Sequence, residues 1–222
     1  MFRNHSRQSP TVLLFALLLA TATLTFVVPL SAAAESHTFS LNVNPSVLNC
    51  LARFPDDPER RPQATVTVTR GTLNDTLQLK LKNIKPKLSF DLFTVQRSNL
   101  LADGTLDPNF TNFGLAWYQS EVQVTSGGTA NVTIETILLD QIFGFDPDKG
   151  LAPTNTFHVG FWFDDPASAA ACGFTGSTPF NGQHHAGPLA MISLPDAGTN
   201  LGPLCTNPDT STDPPKCNPG AF

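Results

Sequence analysis

Residues 64–82, ATVTVTRGTLNDTLQLKLK, alternate apolar and polar side chains on both sides of a turn-forming segment. Val66 and Val68 take one face against Thr65, Thr67 and Thr69 on the other. After GTLND, Leu77, Leu79 and Leu81 alternate with Gln78, Lys80 and Lys82. A period of two is that of a half-buried strand, because successive side chains point to opposite faces. The Gly, Asn and Asp of GTLND supply the backbone freedom a hairpin turn needs. The stretch therefore predicts an antiparallel β-hairpin.

The same alternation extends outward. HTFSLNV (37–43) places Phe39, Leu41 and Val43 on one face, and LSFDLFTV (88–95) does so with Leu88, Phe90 and Leu92. GLAWYQSEVQVT (114–125) and TANVTIETILL (129–139) flank Ser126-Gly127-Gly128, which predicts a second hairpin with Val132 and Ile134 on its return strand. TFHVGFWFDD (156–165) is the most apolar strand, with Phe157, Val159, Phe161 and Phe163 on one face, and LAMISL (189–194) is the last. Between them, LDQIFGFDPDKGLAPTN (139–155) is less regular, with at most one helical turn near Leu138–Phe143.

Seven or eight short strands separated by Gly, Pro and Asn predict an all-β, antiparallel β-sandwich of immunoglobulin-like general layout, since two sheets bury each other's apolar face. The 17 phenylalanines supply much of that core. A closed β-barrel is the alternative the same pattern allows. Residues 35–195 form the predicted domain. Residues 196–222 lack alternation and read as an irregular tail.

The N-terminus carries Arg3 and Arg7, then an apolar run from Thr11 to Leu30, then Ser31-Ala32-Ala33-Ala34. This order is that of a secretory signal peptide, with cleavage expected after Ala34; the rival is an uncleaved anchor. The 188 residues that follow hold eleven basic and eighteen acidic side chains, a net charge of −7. That balance argues against nucleic acid as a partner, and it gives no reason to expect an anionic membrane. Cys50, Cys172, Cys205 and Cys217 all lie after the signal and predict two disulfides. The short spacing of Cys205 and Cys217 predicts that they pair, leaving Cys50 for Cys172.

Few residues point to chemistry. His158, with Asp164 on the same strand and His184-His185 in a polar loop, forms a weak candidate set for zinc or copper. No H-x-H or H-E-x-x-H spacing supports it, and surface histidines without a ligand role are the plainer reading. Asp146-Pro147-Asp148-Lys149-Gly150 begins like a calcium loop, but Gly150 and Phe157 stand where oxygen ligands are needed. Gly176-Ser177-Thr178-Pro179 lacks the second glycine of a nucleophile elbow. No catalytic residue and no cofactor are predicted. Trp117, Tyr118 and Trp162 are candidate ligand-contact aromatics, able to stack on a sugar or anchor a protein if exposed. Asn74, Asn109 and Asn131 head glycosylation sequons.

Carried by the turns around GTLND and SGG and by FHVGFWF, the layout is similar to that of bacterial-type secreted immunoglobulin-like sandwiches over Phe39 to Leu194. The resemblance lies in pattern alone and brings no functional residue with it. The sequence thus points to a secreted, non-enzymatic binding or structural module with an extracellular protein or glycan as partner. Its rivals are a metal-binding protein or metalloenzyme using His158 with His184 or His185, and a carbohydrate-binding module using the aromatics.

Overall fold

The computed structural model describes residues 36–69, 71, 74–136, 156–170, 187–205, 208–209 and 216–217. The principal strands are β1 (Ser36–Val43), β2 (Gln63–Thr69), β3 (Asp75–Lys82), β4 (Ser89–Val95), β5 (Ala116–Gln123), β6 (Ala130–Thr136), β7 (Thr156–Phe163) and β8 (Leu189–Ser193). The hairpin read from residues 64–82 forms: β2 and β3 pair antiparallel from Thr69 opposite Thr76 to Gln63 opposite Lys82. Val66, Val68, Leu77, Leu79 and Leu81 are buried, and the threonines and lysines between them face outward. Alternation alone places these side chains correctly.

All ladders are antiparallel, and the strands run in the order β5-β4-β7-β8-β1-β2-β3-β6 within one sheet. The all-β expectation holds, in its barrel form: the strands join a single curled sheet rather than two. The sheet bends until its edge strands, β5 and β6, come back into contact without completing a ladder. The hairpin expected around Ser126-Gly127-Gly128 is therefore corrected to a turn that bridges the two edges of the sheet. The turn is closed by Thr125 N–H donating to the Thr129 carbonyl at 2.8 Å. Its flanks are claimed by different neighbours: Val124 N–H donates to Leu88 at 2.9 Å, while Ile84 N–H donates to Gly128 at 3.1 Å. Backbone groups already paired to β4 on one side and to the end of β3 on the other are not available to each other.

The inner face of the curled sheet holds the main core. Phe90 lies between Phe161 and Phe163 at ring distances of 4.8 and 5.2 Å, among Leu77, Leu79, Leu81, Val159 and Met191. Each such side chain stabilises the fold by about 1.5–3 kcal/mol when fully buried. The plug at one end is the 3-10 turn Pro45–Val47 with helix α1 (Leu48–Leu51), which buries Val47, Cys50 and Leu51 against the same core.

β7 is buried along its whole length. One face supplies the four core residues read from the sequence. The other lies under the connection between β4 and β5, where Phe93, Val95, Leu100, Phe113, Trp162, Leu189 and Ile192 form a second apolar cluster outside the barrel. The tail is less irregular than its composition predicts. Strand β9 (Leu204–Cys205) returns to pair with Thr156–Phe157 of β7, and β10 (Pro208–Asp209) pairs with β11 (Lys216–Cys217). The helical turn expected near Leu138–Phe143 lies outside the described residues. Among the described residues no helix is long and apolar enough to cross a membrane.

Candidate functional site

Three segments meet over one end of β7. Residues 96–115 leave β4, cross the outer face of the sheet and return as β5. Their path is fixed by their own side chains. Gln96 Oε1 accepts the Leu115 N–H at 2.8 Å, Asp107 Oδ1 accepts Asn109 N–H at 2.8 Å, and Asn112 Oδ1 accepts Gly114 N–H at 2.9 Å. Such local bonds are why Asp and Asn recur at the turns of this loop. Phe110 stacks on Phe113 at 4.6 Å, and Phe113 meets the face of Trp162 edge-on at 5.1 Å, which anchors the loop to β7. The opposing wall is the segment after β8, where Asp196 Oδ1 caps the N–H groups of Gly198 and Thr199 at 3.0 and 2.9 Å.

Between these walls lies a cleft of about 500 Å³. Leu100, Leu101, Phe110, Pro195 and Leu201 give it apolar patches, and Gln96, Asn109, Thr111, Thr156 and Asn200 give it polar ones. Arg97 and Asp107 bring one charge of each sign. His158 also lines it, although the residue is only 2% exposed.

The state of this imidazole follows from its partners. Nδ1 lies 3.0 Å from the Ser193 carbonyl and 3.0 Å from the Ser193 hydroxyl. A carbonyl oxygen only accepts, so Nδ1 carries the proton and donates to it. The Ser193 hydroxyl oxygen in turn accepts the Val159 N–H at 3.2 Å, locking strand and side chain together. Burial disfavours the charged ring and lowers its pKa to about 4, against a weaker upward pull from the Ser193 carbonyl. His158 is thus neutral at physiological pH. No described residue bonds Nε2, and the ring lines the cleft. The tail makes this geometry tight: a Cβ on Gly202 would run into the Phe157 carbonyl and come within 3.1 Å of the His158 ring.

Among the described candidate metal ligands His158 alone lines the cleft, and it is a buried residue rather than the surface histidine expected. Asp164 is not brought to it. The two stand six residues apart on one extended strand, about 20 Å. Asp164 instead accepts the Ser89 hydroxyl at the opposite end of β7. His184 and His185 lie outside the described residues. Among the described residues no three His, Cys, Asp or Glu side chains converge as metal ligands.

The aromatics divide three ways. Trp162, a candidate contact if exposed, is fully buried, with edge-on contacts to Phe93 at 5.4 Å and to Phe113. That expectation is corrected: the loop covering β7 was not visible from the strand's own pattern. Trp117 is half-buried and packs on Phe157 at 5.9 Å, as part of the inner core. Tyr118 is 39% exposed and rests edge-on against Phe93 at 5.6 Å. Its phenol is pushed up from the usual pKa, first by partial burial and then by the charges of Glu121 and Asp91. Cys50 is buried; Cys205 and Cys217 fall in β9 and β11, and Cys172 lies outside the described residues.

The cleft itself was missed from sequence. Its one signal was a loop with too many apolar residues to be simply solvated: Leu100, Leu101, Leu106, Phe110 and Phe113 within fourteen positions. Protein-family models, curated proteins and solved structures were each compared with the chain, and none matches.

Proposed function

We propose that the chain is exported, cleaved after Ala34, and acts outside the cell as a non-enzymatic binding protein. Its cleft takes a small polar molecule that carries a hydroxyl or amino donor. One observation carries this reading: a neutral imidazole, held by Ser193 through Nδ1, lines a preformed cleft with its Nε2 bonded by no described residue. A ligand that donates a hydrogen bond to Nε2 in the cleft gains about 0.5–1.5 kcal/mol from that bond. The volume, about 500 Å³, falls within the range of small-molecule sites.

A binding role is favoured over proton abstraction because a histidine with a pKa near 4 is a poor general base at neutral pH. Export is supported by the order of charges, apolar run and alanines at the N-terminus. The disulfides Cys50–Cys172 and Cys205–Cys217 belong to the same proposal. The buried Cys50 and the β10–β11 ladder, which folds the tail back with Pro208 opposite Cys217, support it.

Ligand-observed NMR tests the cleft directly. The probes are monosaccharides, hydroxy acids and amino alcohols, each compared with its O- or N-methylated counterpart. Saturation transfer is expected to the donor-bearing member of a pair and to fall at least tenfold on methylation. Equal binding of both members, or none of either class, contradicts the reading.

A further inference from the structure

The net charge of residues 35–222 hides a strong asymmetry. Eight of their eleven cations fall between Arg53 and Lys87, a span with only four acids. Seven of the eight lie among the described residues, and the fold draws them toward one end of the barrel. Ala52 bridges Ile84, so Arg53 N–H donates to Asn83 at 3.0 Å and Lys85 N–H to Leu51 at 2.8 Å. Asn83 Nδ2 donates to the Arg61 carbonyl at 3.1 Å, and Gln63 lies opposite Lys82. The side chains of Arg53, Arg61, Lys80, Lys82, Lys85 and Lys87 are all exposed. Among the described residues the only ion pair is that of Arg60 with Asp57. Arg53 is held by the Gly127 carbonyl, but exposed cations without a described acidic partner in an otherwise acidic chain set up a local positive potential that whole-chain charge conceals.

A second, independent feature adjoins this end. The outer face of β1, β2, β3 and β6 carries mostly hydroxyl and amide side chains, with Lys80 and Lys82 on β3 and Glu135 on β6 as its charged members. In register, Ser40, Thr65, Lys80 and Asn131 form one row across the four strands, and Thr38, Thr67, Gln78 and Thr133 form the next. Adjacent strands in such a row stand about 4.8 Å apart. Thr38 and Thr67 hydroxyls are joined at 2.9 Å, which orders the array.

We infer that this face and its basic end bind a linear acidic polysaccharide, the cations meeting its carboxylate or sulfate groups and the Thr, Gln and Asn side chains meeting its hydroxyls. The occupant is a polysaccharide rather than a membrane because, among the described residues, the exposed large apolar side chains, Leu101, Leu106 and Tyr118, all lie elsewhere. The array favours it over nucleic acid, since hydroxyl and amide side chains match sugar hydroxyls and the aromatic ring among the described cations, half-buried Phe54, is already covered by the guanidiniums of Arg53 and Arg60. The inference does not rest on the cleft, which opens over β7 on another part of the barrel.

Affinity electrophoresis and calorimetry with polygalacturonate, dextran sulfate, neutral dextran, duplex DNA and phosphatidylserine vesicles test it. Retention by polygalacturonate and dextran sulfate but not by neutral dextran is expected, weakening at least tenfold between low and physiological salt as counterions compete. The exposed triple variant Lys80→Glu/Lys82→Glu/Lys85→Glu is expected to lose at least tenfold in affinity with an unchanged circular dichroism spectrum. Thr67→Ala/Thr133→Ala, which leaves every charge in place, is expected to weaken polygalacturonate binding several-fold. No retention by either acidic polysaccharide, retention untouched by the charge reversal, or tighter binding to DNA or vesicles would overturn the inference. The cleft reading is scored separately, by the paired donor and methylated compounds.

Discussion

His158 sets a pH dependence that can be worked out from one side chain. Its folded pKa of about 4 lies below the ordinary 6.5 because burial penalises the imidazolium. The unfolded chain therefore binds the proton more tightly, and protonation favours unfolding. The stability tied to the neutral ring is complete above pH 6.5 and is lost as pH falls toward 4. The total is on the order of 3 kcal/mol, with about 2 kcal/mol gone by pH 5. Urea unfolding at pH 7 and pH 5 is expected to show this loss in the wild type and not in His158→Gln, after the carboxylate contribution common to both is subtracted. Equal pH slopes would place the ring in water. Trp162 gives a second residue-scale test. Fully enclosed by Phe93 and Phe113, it should cost about 3–5 kcal/mol on replacement by alanine, where a solvent-facing ligand contact would cost little.

At the scale of elements, strands with one apolar face were readable and their partners were not. β2 and β3 could be paired from Val66, Val68, Leu77 and Leu79 because a short turn leaves them one solution. β5 and β6 carry an equally good turn, yet their ladders go to β4 and β3, a choice made by the closure of the whole sheet. His158 and Trp162 illustrate the same limit. Alternation placed them off the core face correctly, but only the long-range return of residues 96–115 decides that this face is covered. The turn at the edges of the sheet makes a test. Gly128 has φ +77°, and a Cβ there would lie 2.6 Å from the Ile84 carbonyl and 2.9 Å from the Arg53 side chain. Backbone and side chain would both have to move, so Gly128→Ala is expected to cost about 1–3 kcal/mol in chemical denaturation. Gly127→Ala, whose nearest neighbour is a threonine hydroxyl at 3.4 Å, is expected to cost less than half of that. Equal costs would mean that the turn does not hold the two edges together.

The described residues form a curled sheet with its apolar core inside, a roofed cleft over β7, and a polar face with a basic end on the other strands. Export and covalent closure belong to this scale. Mass spectrometry of protein recovered from the medium is expected to begin at Glu35, and non-reducing peptide maps to join Cys50 with Cys172 and Cys205 with Cys217. The long-range bridge should contribute about 2–4 kcal/mol by restricting the unfolded chain. Full-length protein in the membrane, or four free thiols, would contradict the proposal. The reading of the cleft rests on the ring nitrogens of His158, which two-dimensional ¹⁵N–¹H NMR of imidazole-labelled protein observes directly. At pH 7 a protonated Nδ1 and a bare Nε2 are predicted, with the Nε2 resonance alone moving when a donor-bearing compound binds. A protonated Nε2, an imidazolium, or a bound compound that leaves Nε2 unmoved would contradict it.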